Sequence, residues 1–118
     1  MTTLILGATP NPDRYAYRAA ISLQNNGHEI VLVGIKQGEV NGVTIQNEMP
    51  DVKDVHTVTL YVGPQNQPPY YDYILSLKPK RVIFNPGTEN NELENLLKQH
   101  NIEPVIACTL VMLSIGNY

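Results

Sequence analysis

The chain has 118 residues, 42% of them hydrophobic and only 16% charged, which provides for one packed core and excludes a disordered tail. A net charge of −3 excludes a dedicated nucleic-acid binder, whose surface is basic. No apolar run approaches the roughly 18 residues of a membrane span, no charged-then-apolar signal segment opens the chain, and the one cysteine, Cys108, has no internal disulfide partner, so a reducing cytoplasm is the expected location.

The first strand-like run is Thr3-Leu4-Ile5-Leu6, stopped by Gly7. After a loop containing Pro10 and Pro12, the residues Ala16, Ala19, Ala20 and Leu23 recur at helical spacing. Asn26-Gly27 ends that helix, because glycine enters the left-handed conformation without steric cost. A second strand, Glu29-Ile30-Val31-Leu32-Val33, follows at once and stops at Gly34. Val40 to Ile45 and Met49 to Val52 read as short extended pieces, with Asn41-Gly42 a hairpin-type turn. His56 to Val62 is a third strand, ended by Gly63-Pro64.

Tyr70 to Leu77 reads as a short helix with Pro68 and Pro69 near its first turn, where proline is tolerated. Tyr70, Tyr73 or Ile74, and Leu77 form a packing stripe, with Tyr71 on the outer face. Arg81 to Phe84 is the fourth strand, closed by Asn85-Pro86-Gly87. Leu93, Leu96 and Leu97 mark another amphipathic helix, capped by Asn91, with Glu89 as a first-turn carboxylate. Glu103 to Ala107 supplies a fifth strand, and Thr109 to Ile115 a short apolar tail segment.

Strands alternating with helices over short connections predict a single α/β domain over residues 1–118, with a parallel sheet covered on both faces. In such sheets ligands sit beyond the carboxyl ends of the strands, where the strand order reverses. The loop Gly7-Ala8-Thr9-Pro10-Asn11-Pro12-Asp13 leads from the first strand into the first helix, whose exposed amides suit an anion such as phosphate. Thr9, Asn11, Arg14 and Tyr17 add donors there, while Asp13, as a helix cap, would add a negative charge. The plain alternative is a strand-to-helix turn that its prolines stiffen.

The dinucleotide fingerprint G-x-G-x-x-G is absent, because this loop holds Gly7 alone. The second strand ends Val33-Gly34-Ile35-Lys36, without the acidic residue that would accept from an adenosine ribose. Lys36 instead offers a cation to a ribose phosphate, as in NADP or coenzyme A, or is simply a solvated lysine.

Gly7-Ala8-Thr9 followed by Tyr17, then Asn85-Pro86-Gly87-Thr88-Glu89-Asn90, then Ala107-Cys108-Thr109, resemble the small single-domain CoA-binding protein family. That family is similar to the amino-terminal CoA-binding domain of the succinyl-CoA synthetase alpha subunit. The resemblance runs from Thr3 to about Ser114 and implies a Rossmann-like three-layer α/β/α sandwich with a five-stranded parallel sheet. It implies coenzyme A or an acyl-CoA as ligand. Gly7, Ala8, Thr9, Asn11, Arg14 and Tyr17 would hold the phosphates. Gly34 and Lys36 would flank the adenosine end, and Tyr61 with Val62 would line the adenine or upper pantetheine wall. Asn85, Pro86 and Gly87 would pass beside the pantetheine arm.

No equipment for catalysis is recognisable. His28, His56 and His100 have no metal-ligand spacing, and no Ser-His-Asp arrangement, paired acidic motif or P-loop can be assembled. The synthetase uses a phosphorylated histidine of a further domain, and the chain is expected to end before one. Cys108 reads first as a small apolar filler, with thiol–disulfide exchange toward the CoA thiol as its functional alternative. A stand-alone binding module is therefore expected, acting as carrier, sensor or regulatory subunit. The competing readings are a small NADP-dependent enzyme and an interaction protein that keeps the fold without a ligand. The tyrosine cluster allows a homodimer or a partner protein.

Overall fold

In a computed structural model describing residues 1–118, the alternation of apolar runs and periodic segments becomes seven strands and four α-helices. The order along the chain is β1 (Thr2–Leu6), α1 (Tyr15–Asn25), β2 (Glu29–Val33), β3 (Glu39–Val40), β4 (Val43–Gln46) and β5 (Val55–Leu60). There follow α2 (Tyr71–Leu77), β6 (Arg81–Phe84), α3 (Asn91–Gln99), β7 (Glu103–Ile106) and α4 (Thr109–Ser114). Two 3₁₀ turns, Pro64–Asn66 and Pro68–Tyr70, lead into α2.

All strands join one sheet in the order β3-β4-β2-β1-β5-β6-β7. The pairs β1–β2, β1–β5, β5–β6, β6–β7 and β2–β4 are parallel, and β3 alone runs antiparallel. The Rossmann-like sandwich expected from the sequence is present, but its sheet has seven strands rather than five. The two extra strands are the hairpin at the β2 edge. Its turn is Asn41-Gly42, both with positive φ (49° and 86°), as a two-residue hairpin requires. Strand β3 has two residues and β4 leaves Thr44 and Gln46 exposed, so neither carries the apolar run that marked the central strands. Met49 to Val52 forms no strand.

Alternation along the strands divides the core into two layers. Leu4, Leu6, Val58, Leu60, Val82 and Phe84 pack against Tyr73, Ile74 and Leu77 of α2 and Leu93 and Leu97 of α3. Ile5 and Leu32 pack on the other face against Ala16, Ala20 and Leu23 of α1 and Leu113 of α4. Small alanines let α1 lie close to the sheet. This second face is partly polar. Buried Thr3 meets the Tyr118 hydroxyl at 2.7 Å, Arg81 Nε donates to Thr57 Oγ1 at 2.9 Å, and the hydroxyls of Thr59 and Thr109 pair at 2.7 Å.

Helix ends follow simple capping chemistry with two departures from expectation. Helix α1 ends at Asn26 with Gly27 at φ +83°, as read from the sequence. Helix α3 is capped by Asn90, not Asn91, since the Asn90 side chain accepts from the Leu93 amide at 3.3 Å. Glu89 therefore precedes the helix, and its carboxylate accepts from the Gly87 amide at 2.8 Å. Asp13 caps nothing: Arg14 holds the cap position of α1, and no side chain bonds to that helix end.

Candidate functional site

Chain order and sheet order part company at β1. From β1 the chain moves outward to β2 on one side, then returns to place β5 on the other. The crest above β2, β1, β5 and β6 is the switch point of this sheet. The loops that leave these strands carry nearly every residue singled out in the sequence.

Gly7 sits at the centre. Its φ is +97°, and a Cβ there would stand 2.7 Å from the Tyr61 carbonyl oxygen and 2.9 Å from Val62 Cγ2. Only glycine permits this approach of the β1 and β5 ends. The Gly7 and Ala8 amides both donate to the Val33 carbonyl, at 2.8 and 3.1 Å, so they shape the loop. Gly34 serves the same end, since a Cβ there would lie 2.7 Å from the Ala8 carbonyl oxygen.

Thr9 is half-buried, and the loop from Pro10 to Asp13 is exposed. Thr9 Oγ1 accepts from the Asn11 amide at 3.2 Å, and Asn11 Oδ1 from the Asp13 amide at 3.0 Å, which turns the chain into α1. Arg14 is exposed, and the first turn of α1 holds neither a side-chain cap nor an acidic residue. Its leading amides point outward beside the crest with positive polarity. Tyr17 is half-buried and lines a hollow of about 290 Å³ with Pro12 and Ile21, on the flank of α1.

Lys36 is exposed in the loop after β2, which Asn47 fixes by donating to the Gly34 and Lys36 carbonyls, both at 2.8 Å. The neighbouring Ile35 is 82% exposed, the most exposed large apolar side chain of the molecule. Asn85 is buried and fully engaged: its Nδ2 donates to Thr59 Oγ1 at 2.6 Å and to the Leu60 carbonyl at 2.8 Å. Its Oδ1 accepts from the Thr109 amide at 2.9 Å. Asn85 thus joins β5, β6 and α4, while Pro86 and Gly87 stand exposed above it. Cys108 is half-buried at the cap position of α4.

Tyr61 and Val62 lie just past the end of β5, which stops at Leu60. The Tyr61 ring packs against the α1-side core, and burial pushes its phenol well above the ordinary tyrosine range. Its hydroxyl is buried without a hydrogen-bond partner.

One supporting residue left no trace in the sequence pattern. Gln67 is wholly buried, and its Nε2 donates to the Val62 carbonyl at 2.9 Å and the Thr88 carbonyl at 2.8 Å. Its Oε1 accepts from Asn90 Nδ2, which also donates to the Tyr71 hydroxyl, each at 2.8 Å. The loops after β5 and β6 are therefore fastened to each other. Tyr71, expected on an outer face, is half-buried in this junction. A second hollow, about 460 Å³, opens between Tyr71 and the α3 flank at Glu92 and Leu96, away from the crest.

The structure brings Gly7, Ala8, Gly34, Tyr61, Val62 and Asn85 into contact through their strand ends. It leaves Thr9, Asn11, Arg14, Lys36, Pro86 and Gly87 in the loops around them. No helix is long and apolar enough to cross a membrane.

Comparison with solved structures supports this architecture. A crystal structure of an uncharacterized protein is 65% identical, with a TM-score of 0.98, over 99% of this chain and 97% of that one. The protein described as cell-free ID.343 from Thermus thermophilus is 23% identical, with a TM-score of 0.86, over 99% and 90% of the two chains. A hypothetical protein from Pyrococcus horikoshii OT3 is 26% identical, with a TM-score of 0.83, over 92% and 78%. No curated protein sequence matches the chain. The family pattern that does match is the CoA binding domain, over residues 1–114. Since that match spans nearly the whole length, the chain belongs to the CoA binding domain family.

Proposed function

We propose that the chain is a non-catalytic module that binds coenzyme A or an acyl-CoA across the crest, in a carrier, sensor or regulatory role. The observation that carries this reading is the open start of α1, with no side-chain cap and no first-turn acid, beside the switch point. A diphosphate there meets outward amides and the positive end of an eleven-residue helix. Thr9, Asn11, Arg14 and Tyr17 stand around that helix start and supply further donors.

Lys36 meets the 3′-phosphate of the adenosine end, and Gly34 lets the β2 loop fold tightly beneath it. The arm then runs over Tyr61 and Val62 toward Pro86 and Gly87, above Asn85. Gly7 and Ala8 contribute by shape, since their amides are already engaged. A dinucleotide fits less well, because the first loop holds one glycine where the fingerprint needs three.

The test is thermal unfolding with CoA, dephospho-CoA, NADP and NAD, each at millimolar concentration. A ligand at 100 times its dissociation constant stabilises by about 2.7 kcal/mol. That raises the midpoint of a domain this size by roughly 8 °C or more. A shift with CoA that exceeds those of NADP and NAD is expected. A shift with NADP alone identifies a different cofactor, and no shift with any of them contradicts the binding reading.

A further inference from the structure

The two edges of the sheet end on different surfaces. The β3–β4 edge is short and polar, with Glu39, Thr44, Gln46 and Glu48 exposed, which protects it from pairing with another chain. The β7 edge is apolar. Ile106 on β7 is 54% exposed, and Val111 and Ile115, four residues apart on one side of α4 and its cap, are 53% and 66% exposed.

Helix cover stops one strand short of this edge. The register sets Ile5, Thr59, Ile83 and Val105 side by side on the face beneath α1 and α4. The first three are wholly buried, but Val105 is only half-buried. Helix α4 starts above β5 and β6, where Thr109 bonds to Thr59 and Asn85, and leaves β7 open. A parallel sheet normally has both faces covered, and here the outer strip lacks its layer.

We propose that a second copy of the chain supplies that layer, with α4 and β7 of the two protomers packed about a two-fold axis. Charge selects this occupant. Residues 104–118 contain no Lys, Arg, Asp or Glu, in a chain that is 16% charged. Charged groups give a different partner its specificity, and this face offers none. An uncharged face is complementary to itself, so a two-fold axis through it opposes no like charges although each chain carries −3. The contact is made by side chains rather than by a continued ladder. The Glu103 and Ala107 amides donate to β6, so alternation aims residues 104 and 106 outward, and Pro104 has no N–H to give. The tyrosine cluster is occupied within the chain: Tyr73 is buried, its hydroxyl donating to the Pro50 carbonyl, and the Tyr71 hydroxyl accepts from Asn90.

The experiment is sedimentation equilibrium of the wild type, of Val111→Lys/Ile115→Lys and of Ile35→Lys as a control at the far edge. It is run at about 100 µM, where a micromolar dissociation constant gives dimer. Both replaced residues of the double variant are exposed in the single chain, so its thermal unfolding in dilute solution should match the wild type. The expected result is twice 13.2 kDa for the wild type and I35K, and 13.2 kDa for V111K/I115K, whose self-association weakens about a hundredfold or more. Dilution of the wild type should also shift the amide resonances of residues 104–106 and 110–115, but not those of the Asn41-Gly42 turn. A monomeric wild type overturns the inference, as does a dimer that survives the double substitution or dilution shifts confined to other residues.

Discussion

Gln67 and Lys36 are opposite kinds of residue, and their variants separate scaffold from ligand contact. Gln67 has no surface in water and satisfies two carbonyls and one amide of neighbouring loops. Gln67→Leu keeps the volume but leaves the Val62 and Thr88 carbonyls unmet. It should cost about 2–4 kcal/mol in denaturant unfolding. Lys36 is exposed, with only its backbone carbonyl held by Asn47. Lys36→Ala should leave stability within about 0.5 kcal/mol. In titration it should weaken CoA about tenfold and dephospho-CoA hardly at all; equal losses for both ligands remove Lys36 from the 3′-phosphate role. The exposed place of Lys36 after β2 was legible because a glycine that ends an apolar run is a local pattern. Gln67 was not, since its partners lie 5, 21 and 23 positions away and only folding brings them together.

The β1–α1 connection depends on two properties of one glycine. At Gly7 both the positive φ and the 2.7 Å approach of the Tyr61 carbonyl exclude a side chain. At Gly87 φ is also positive, +90°, but a Cβ would meet nothing within 4 Å. Gly87→Ala should therefore cost only the backbone term of about 1–2 kcal/mol. Gly7→Ala should cost clearly more, since backbone atoms of two strands must move. Equal losses in thermal unfolding would show that the crest tolerates separation of β1 from β5. The central strands and their glycine stops were legible because buried parallel strands are continuous apolar runs. The hairpin strands β3 and β4 were not counted in the sheet because a two-residue strand and a half-exposed one have no such run. The α3 cap moved by one residue because Asn90 and Asn91 are chemically equivalent in sequence. Only the Asn90 bond to Leu93 separates them.

The two ends of the sheet do different work. At the end opposite the crest, Arg81 lies 4.5 Å over the Tyr118 ring and its Nη2 donates to the Tyr118 carbonyl at 2.7 Å. His28 sits against the same ring at 5.1 Å. Burial, with the amino terminus and Arg81 nearby, lowers the His28 pKa; burial, Arg81 and the amino terminus lower that of His56. A histidine with a depressed folded pKa binds fewer protons folded than unfolded, so its contribution is present above the unfolded value of 6.5 and is lost as pH falls through the folded one. Unfolding free energy should thus decline on acidification below about pH 6.5, and H28Q/H56Q should flatten the decline. Tyr61, Tyr73 and Tyr118 have the opposite sense. Burial raises their pKa values, so their contribution is present below the unfolded value of 10.0 and is lost as pH rises above it.

Ligand binding at the crest is the central claim, and amide chemical-shift mapping with CoA tests it most directly. The account predicts perturbations in residues 7–17, 34–38, 61–63 and 85–87, with little change around His28, His56 and Tyr118. Perturbations centred on the α3 flank at Glu92 and Leu96 or on the Tyr118 end, or none at saturating CoA, would contradict it.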